Sequence, residues 1–305
     1  MVSTLGKTLL IANPAAQNGK GASAALYAGE QLRKALPIGN FEFVMTAAAL
    51  HGRSLVEQAS GYKTILALGG DGLVHEIVNG LMSIPVENRP VFGLLPSGTG
   101  NDYARTLAMD FDIKKSVKQI LDAVPRFIDL GLCNGEYFAE TLSFGLDAAI
   151  ALDTVERRKR TGKTGARVFI ESGLDMLLHQ LRVFDYEVDF ADSTKHQDQM
   201  VIFAIQIGKT YGGGFKICPD AEVDDGLFDL CIAHPPLPIT KAMTIFLKAK
   251  NAKHTTYKQL EFKRVKKLTL HFSNAQPLIQ IDGEPFCGDT FEIQCVKRAL
   301  KVLMP

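Results

Sequence analysis

Four short stretches of this 305-residue chain carry residue types and spacings that could do chemistry. Gly69-Gly70-Asp71-Gly72 and Pro96-Ser97-Gly98-Thr99-Gly100-Asn101-Asp102 are glycine-rich turns. Each follows an apolar run, Thr64–Leu68 or Val91–Leu95, and each leads into a segment with helical patterning. Glycine lets a ligand approach the backbone, and the amides that open the next helix add donors and a positive dipole end. That geometry binds phosphate. An aspartate beside a polyphosphate is repelled unless a cation lies between them, so Asp71 implies Mg2+ and nucleotide chemistry. Asp282-Gly283-Glu284 follows an apolar strand; it could supply a carboxylate that accepts a hydroxyl proton, or be a β-turn with two solvated acids. Glu222-Val223-Asp224-Asp225-Gly226-Leu227 gathers acids and carbonyls of the kind Mg2+ prefers, although a plain Asp-Gly turn has the same sequence.

The elements that must position these residues divide into two textures. Residues 1–127 alternate strand and helix, the pattern of an α/β layered fold. Strands are expected at Thr8–Ala12, Phe41–Met45, Thr64–Leu68 and Val91–Leu95, and helices at Ala22–Leu36, Gly52–Ser60, after Asp71, Asp102–Leu107 and Ile113–Val124. In the helix after Asp71, Leu73, Val74, Ile77, Val78 and Leu81 form one face, and His75, Glu76 and Asn79 the other. Residues 128–305 read as a second domain of short strands separated by polar turns, a β-sandwich, interrupted by helices near Val168–Gln180 and Thr240–Lys250.

Composition excludes several classes. Hydrophobic residues make up 46% and charged residues 22%, ordinary values for a globular protein. A net charge of +1 gives no general attraction for nucleic acid. The five cysteines are scattered and read as free thiols of a reducing compartment. No apolar run approaches the roughly 20 residues that span a bilayer, so membrane contact is expected to be peripheral and the protein cytoplasmic. The basic stretch 153–167 sets six cations against Asp153 and Glu156 and reads as a solvated loop or a contact for anionic headgroups. The histidines at 51, 179, 196, 234, 254 and 271 show no metal-ligand spacing.

The paired turns resemble the nucleotide-binding signature of the diacylglycerol kinase catalytic family, which includes bacterial lipid kinases and sphingosine kinases and is more distantly related to NAD kinases and 6-phosphofructokinases. Further matches are Asn13-Pro14, Thr46, Ser143-Phe144-Gly145-Leu146-Asp147-Ala148, Gly212 to Ile217, Pro219-Asp220-Ala221, Asp224 to Leu227 and Asp282-Gly283-Glu284. The resemblance implies an ATP- and Mg2+-dependent kinase of phospholipid metabolism. It would move the γ-phosphoryl group to a hydroxyl of diacylglycerol or a similar membrane lipid, in a cleft between the two domains. It implies that Asn13, Thr46, Gly69, Gly70, Asp71, Gly72, Glu76, Gly98, Thr99, Asn101 and Asp102 hold the nucleotide. Glu284 would accept the proton, with Asp71 the rival for that task. Asp225, with the carbonyls of Glu222 and Leu227, would hold a structural Mg2+. A homodimer is compatible with the sequence. Leu73 and His75 stand where the family pattern has Thr and Asn. An NAD kinase-like enzyme and a nucleotide sensor without catalysis are the alternatives.

Overall fold

The computed structural model describes residues 5–17, 19–163, 165–190 and 195–305; Thr164, inside the basic stretch, lies outside the described residues. The chain forms two units, Met1–Ile128 with Arg298–Pro305, and Asp129–Lys297. The change of sequence texture at 127/128 cuts the chain once, whereas residues 298–305 belong with the first unit.

The first unit runs β1 (Thr8–Ala12), α1 (Lys20–Ala35), β2 (Phe41–Met45), α2 (His51–Gln58), β3 (Thr64–Gly69), α3 (Asp71–Met82), β4 (Val91–Pro96), α4 (Asp102–Thr106) and α5 (Ile113–Asp122). The strands lie in the order β2-β1-β3-β4 and are parallel throughout, with Thr8 opposite both Phe41 and Thr64, and Thr64 opposite Val91. Parallelism places all four carboxyl ends along one edge. Every residue of β1 and β3 is buried, which explains their unbroken apolar sequences: a parallel sheet covered on both faces has no polar side.

Helix α3 departs from the two-faced reading. His75 and Asn79, expected on the polar side, are only 7% and 3% exposed, and the Asn79 side-chain amide donates to the His75 carbonyl at 3.0 Å. That bond makes burial of the amide tolerable. Only Glu76 of that face stays half-exposed.

The chain continues as β5 (Val124–Cys133), β6 (Glu136–Phe138), β7 (Thr141–Gly145), α6 (Leu146–Thr161), α7 (Ala166–His179), β8 (Phe184–Asp189), β9 (Lys195–Met200), β10 (Ile202–Gln206), β11 (Phe228–Ala233), α8 (Ile239–Ala249), β12 (Leu260–Val265), β13 (Lys267–His271), β14 (Ile279–Ile281), β15 (Glu284–Phe286) and β16 (Thr290–Met304). In the second unit, antiparallel strands form two layers, β12-β11-β10-β7-β14-β15 and β16-β13-β8-β9. Leu142, Phe144, Phe203, Leu230 and Ile281 from one layer meet Val188, Leu270, Phe291 and Ile293 from the other in one apolar core, the packing of a β-sandwich. Phe144 centres it, with its ring 5.1 Å from Phe291 and 5.5 Å from Phe272. Such pairs add about 0.5–1.5 kcal/mol each beyond the area they bury.

Helix α6 and strand β9 are among the elements that the sequence pattern does not show. Helix α6 carries the basic run on its last turns, so Arg157 to Arg160 are helical and not a loop. Arg157 pairs with Asp153 at 2.9 Å and Asp175 at 2.5 Å, and Lys159 with Glu156 at 2.8 Å. Strand β9 is nearly all polar, and pairs such as Lys195–Glu187 at 2.8 Å hold it to β8 in place of an apolar face.

Candidate active site

At the carboxyl edge of the first unit's sheet, four strand ends present the residues singled out from sequence. The Asn13 N–H donates to the Leu68 carbonyl at 2.9 Å, and its side-chain oxygen accepts the Ala15 N–H at 2.9 Å, which fixes the turn after β1 beside the end of β3. Thr46 donates its N–H to Ala12 at 2.8 Å. Gly70 caps α3, with its carbonyl accepting from Leu73 and Val74. Ser97 donates to the Gly69 carbonyl at 2.8 Å, so the second glycine turn starts in register with the first.

The two turns touch directly. A Cβ at Gly98 would lie 2.3 Å from the Gly70 Cα and 2.6 Å from the Asn101 Oδ1, so both glycines are required by the approach of backbone to backbone. Asn101, in the left-handed region at φ 54°, turns its side chain back to accept the Gly98 N–H at 2.8 Å. We expect Gly98→Ala to lower stability by about 1–3 kcal/mol, the usual cost of overpacking, together with nucleotide affinity. The denaturant midpoint measures this, and an unchanged midpoint would mean that the turns can part without cost.

Asp71 and Asp102 converge over this contact. A Cβ at Gly100 would meet Asp71 Oδ2 at 2.7 Å and Asp102 Oδ2 at 3.3 Å. Asp71 Oδ1 accepts the Tyr103 N–H at 3.2 Å, and Arg105 holds Asp102 at 3.2 Å while also donating to the Gly100 carbonyl. Two hard carboxylates beside a helix N-terminus fit Mg2+ in the form in which it usually accompanies phosphates, with one or two protein oxygens and the rest from ligand and water. Thr99 is half-exposed. Glu76 is placed elsewhere: its two oxygens accept the Leu50 and Gly52 N–H groups, both at 2.9 Å, so it caps α2. Leu73 packs inward over Gly69 and Gly52, and His75 is buried, so both departures from the family pattern lie in the interior. Gln17, outside every motif named above, donates its side-chain amide to the Gly98 carbonyl at 3.0 Å.

In the second unit, Asp282 and Gly283 join β14 to β15 as a two-residue hairpin, with φ of 48° and 90°, the primed-turn geometry that suits strand twist. Asp282 is not a solvated acid. Its carboxylate accepts the N–H groups of Ala139, Glu140 and Thr141 at 2.8, 3.0 and 3.0 Å. Gln280 accepts the Gly283 N–H at 2.7 Å and donates to the Ser143 hydroxyl at 2.7 Å. Glu284 alone is exposed, at the start of β15 on this fixed support.

The third stretch, Glu222 to Leu227, is held by hydrogen bonds and an ion pair from within the second unit. The Asp225 carboxylate pairs with Arg264 and accepts the Leu227 N–H at 2.9 Å, while Lys297 donates to its carbonyl at 3.0 Å. The Gly226 N–H goes to Asp129 at 2.5 Å. Burial, with Asp220 and Glu222 nearby, pushes the neighbouring Asp229 carboxyl up to about 6. Arg264 and Lys297 thus lie against this acidic turn. Among the described residues, no group of three or more His, Cys, Asp or Glu side chains is disposed to hold a metal.

These features match known proteins along nearly the whole chain. The chain belongs to the diacylglycerol kinase family: residues 7–133 match the diacylglycerol kinase catalytic domain, and residues 140–304 match the YegS C-terminal NAD kinase beta sandwich-like domain. A diacylglycerol kinase of Bacillus subtilis (strain 168) is 30% identical over 80% of this chain and 78% of its own length. A Yersinia pestis (strain Pestoides F) protein named "Probable lipid kinase YegS-like" is 32% identical over 84% of each. The crystal structure of a diacylglycerol kinase from Bacillus anthracis str. Sterne superposes with a TM-score of 0.82 over 99% of this chain and 98% of its own, at 22% identity, and so shares the fold. A yeast NADH kinase structure reaches a TM-score of 0.50 at 6% identity, covering 99% of this chain and 84% of its own.

Proposed function

We propose that this chain is a lipid kinase that transfers the γ-phosphoryl group of ATP to a hydroxyl of diacylglycerol or a similar membrane lipid. The observation that carries the reading is the convergence of Asp71 and Asp102 over two interlocked glycine turns at the carboxyl edge of a parallel sheet, where ligands of such sheets bind. Asn13, Thr46, Gly70 to Gly72, Thr99 and Asn101 would line the phosphates, and the N-terminus of α3 would face them. Mg2+, held by Asp71 and Asp102, would neutralise charge on the transferring group. Glu284 would take the proton of the attacking hydroxyl as its oxygen bonds to the γ-phosphorus and ADP departs. Such a substrate resides in a bilayer, so the reading includes peripheral membrane contact; no helix among the described residues is long and apolar enough to cross a membrane.

The test is Mg2+-dependent transfer of labelled γ-phosphate from ATP to lipids in mixed micelles, with NAD in parallel. Labelled phospholipid is the expected product. Transfer to NAD alone, or ATP binding without transfer to any acceptor, would overturn the reading.

A further inference from the structure

Arg105, in the last turn of α4, stands against the two carboxylates of the candidate site. Its Nη1 donates both to Asp102 Oδ1, at 3.2 Å, and to the Gly100 carbonyl. The centre of the guanidinium lies 4.9 Å from the centroid of the Phe111 ring, a cation–π contact that helps to fix its plane. That contact also accounts for Phe111, a large apolar side chain left 48% exposed. The bonds divide the oxygens of Asp102, which is itself only 6% exposed. Oδ1 is turned to Arg105, while Oδ2 leans with Asp71 Oδ2 over Gly100, where a Cβ would lie 3.3 and 2.7 Å from them. Two carboxylates this close repel each other, and the guanidinium offsets part of that repulsion.

The same charge acts on every ligand that arrives, and it is permanent, because arginine does not lose its proton in proteins. A divalent cation approaching Asp71 and Asp102 is drawn by two negative charges and opposed by one positive charge. Mg2+ gives up its waters reluctantly and is held by one or two carboxylates together with substrate phosphates. A pair whose charge is partly cancelled is therefore a poor site for the bare ion. A polyphosphate feels the opposite signs: the guanidinium attracts it and the carboxylates repel it. We propose, on the reading of Asp71 and Asp102 as the metal-holding pair of a kinase, that Arg105 is a positioning residue that makes entry of the divalent cation depend on the nucleotide. It aims Asp102 Oδ2 toward the site and discourages the free ion. The phosphates supply the negative charge that admits the ion, so metal and nucleotide enter as one complex.

The experiment measures two affinities of the full chain, both without lipid. Mn2+, an ion that suits the same oxygen ligands, is titrated alone and followed by the paramagnetic resonance of the free ion. ATP is titrated by equilibrium dialysis with a chelator and no divalent cation. Arg105→Gln is expected to bind Mn2+ about tenfold or more tightly than the wild type, and metal-free ATP about threefold or more weakly. Arg105→Met removes the charge in a second way and should shift both affinities in the same directions. Arg105→Lys keeps the charge and should stay within about twofold of the wild type in both. Thermal melts check that each variant is folded. A damaged fold weakens both ligands, so opposed shifts separate the proposal from a structural role. Unchanged or weaker Mn2+ binding by Arg105→Gln and Arg105→Met, or the same shifts in Arg105→Lys, would overturn it. Phosphate transfer to lipid is measured separately. Opposed shifts without transfer to any lipid would remove the kinase reading alone; transfer with neither affinity shifted would remove the role of Arg105 alone.

Discussion

Asp71→Asn is expected to lower Mg2+-dependent phosphoryl transfer by about 10³-fold or more while leaving the melting curve nearly unchanged. The asymmetry follows from the two oxygens of this side chain. Oδ1 accepts the Tyr103 N–H, and an asparagine carbonyl oxygen can accept the same bond, so the join between the two glycine turns persists. Oδ2 faces Asp102 over Gly100, where negative charge is wanted, and an amide supplies none. Metal-assisted charge neutralisation is worth several kcal/mol in a transition state, and each 1.36 kcal/mol is tenfold in rate. Single-turnover transfer with saturating ATP measures the chemical step. A variant that keeps more than a tenth of the wild-type rate would show that Asp71 is only a cap for the next helix.

Glu284→Gln is expected to cut kcat by about 10²–10⁴-fold, the range of general-base contributions, with ATP affinity unchanged. Its side chain is exposed and lies outside the packed core, so the substitution should leave stability alone. Asp282, which accepts three backbone N–H groups, sets the hairpin in place; it is a positioning residue, and its replacement should lower stability as well as rate. A full wild-type kcat in Glu284→Gln would move the task to Asp71.

The parts of this molecule that were legible in the sequence are those whose reason is local. The glycine turns could be read because residue type, spacing and the flanking apolar runs all sit within a few positions, and strands β1 and β3 because burial on both faces leaves unbroken apolar sequence. The rest depends on distant partners. Asp282 beside a glycine reads as an exposed turn, since its three donors come from residues 139–141. Glu76 looked like a ligand for nucleotide, and it is the cap of α2 that occupies it. Helix α6 carries no helical signal in the sequence because Leu146 to Ala151 are buried without a break and charge then crowds its end, so no face repeats at the helical period. His254 has no spacing signal at all; its tautomer and burial exist only once the Ile217 carbonyl lies against it.

Strand β16 has a consequence for how the protein comes into being. Its Val302 pairs with Phe92 on β4, inside the first unit, although two hundred residues of chain separate them. A ribosome emitting this chain from its N-terminus therefore releases β4 long before its neighbour exists. Until then the nascent sheet displays an unpaired parallel edge, the feature most prone to capture a stray strand. The first unit is thus the first to be synthesised and the last to be closed, and chaperone demand should peak while the β-sandwich is still being translated.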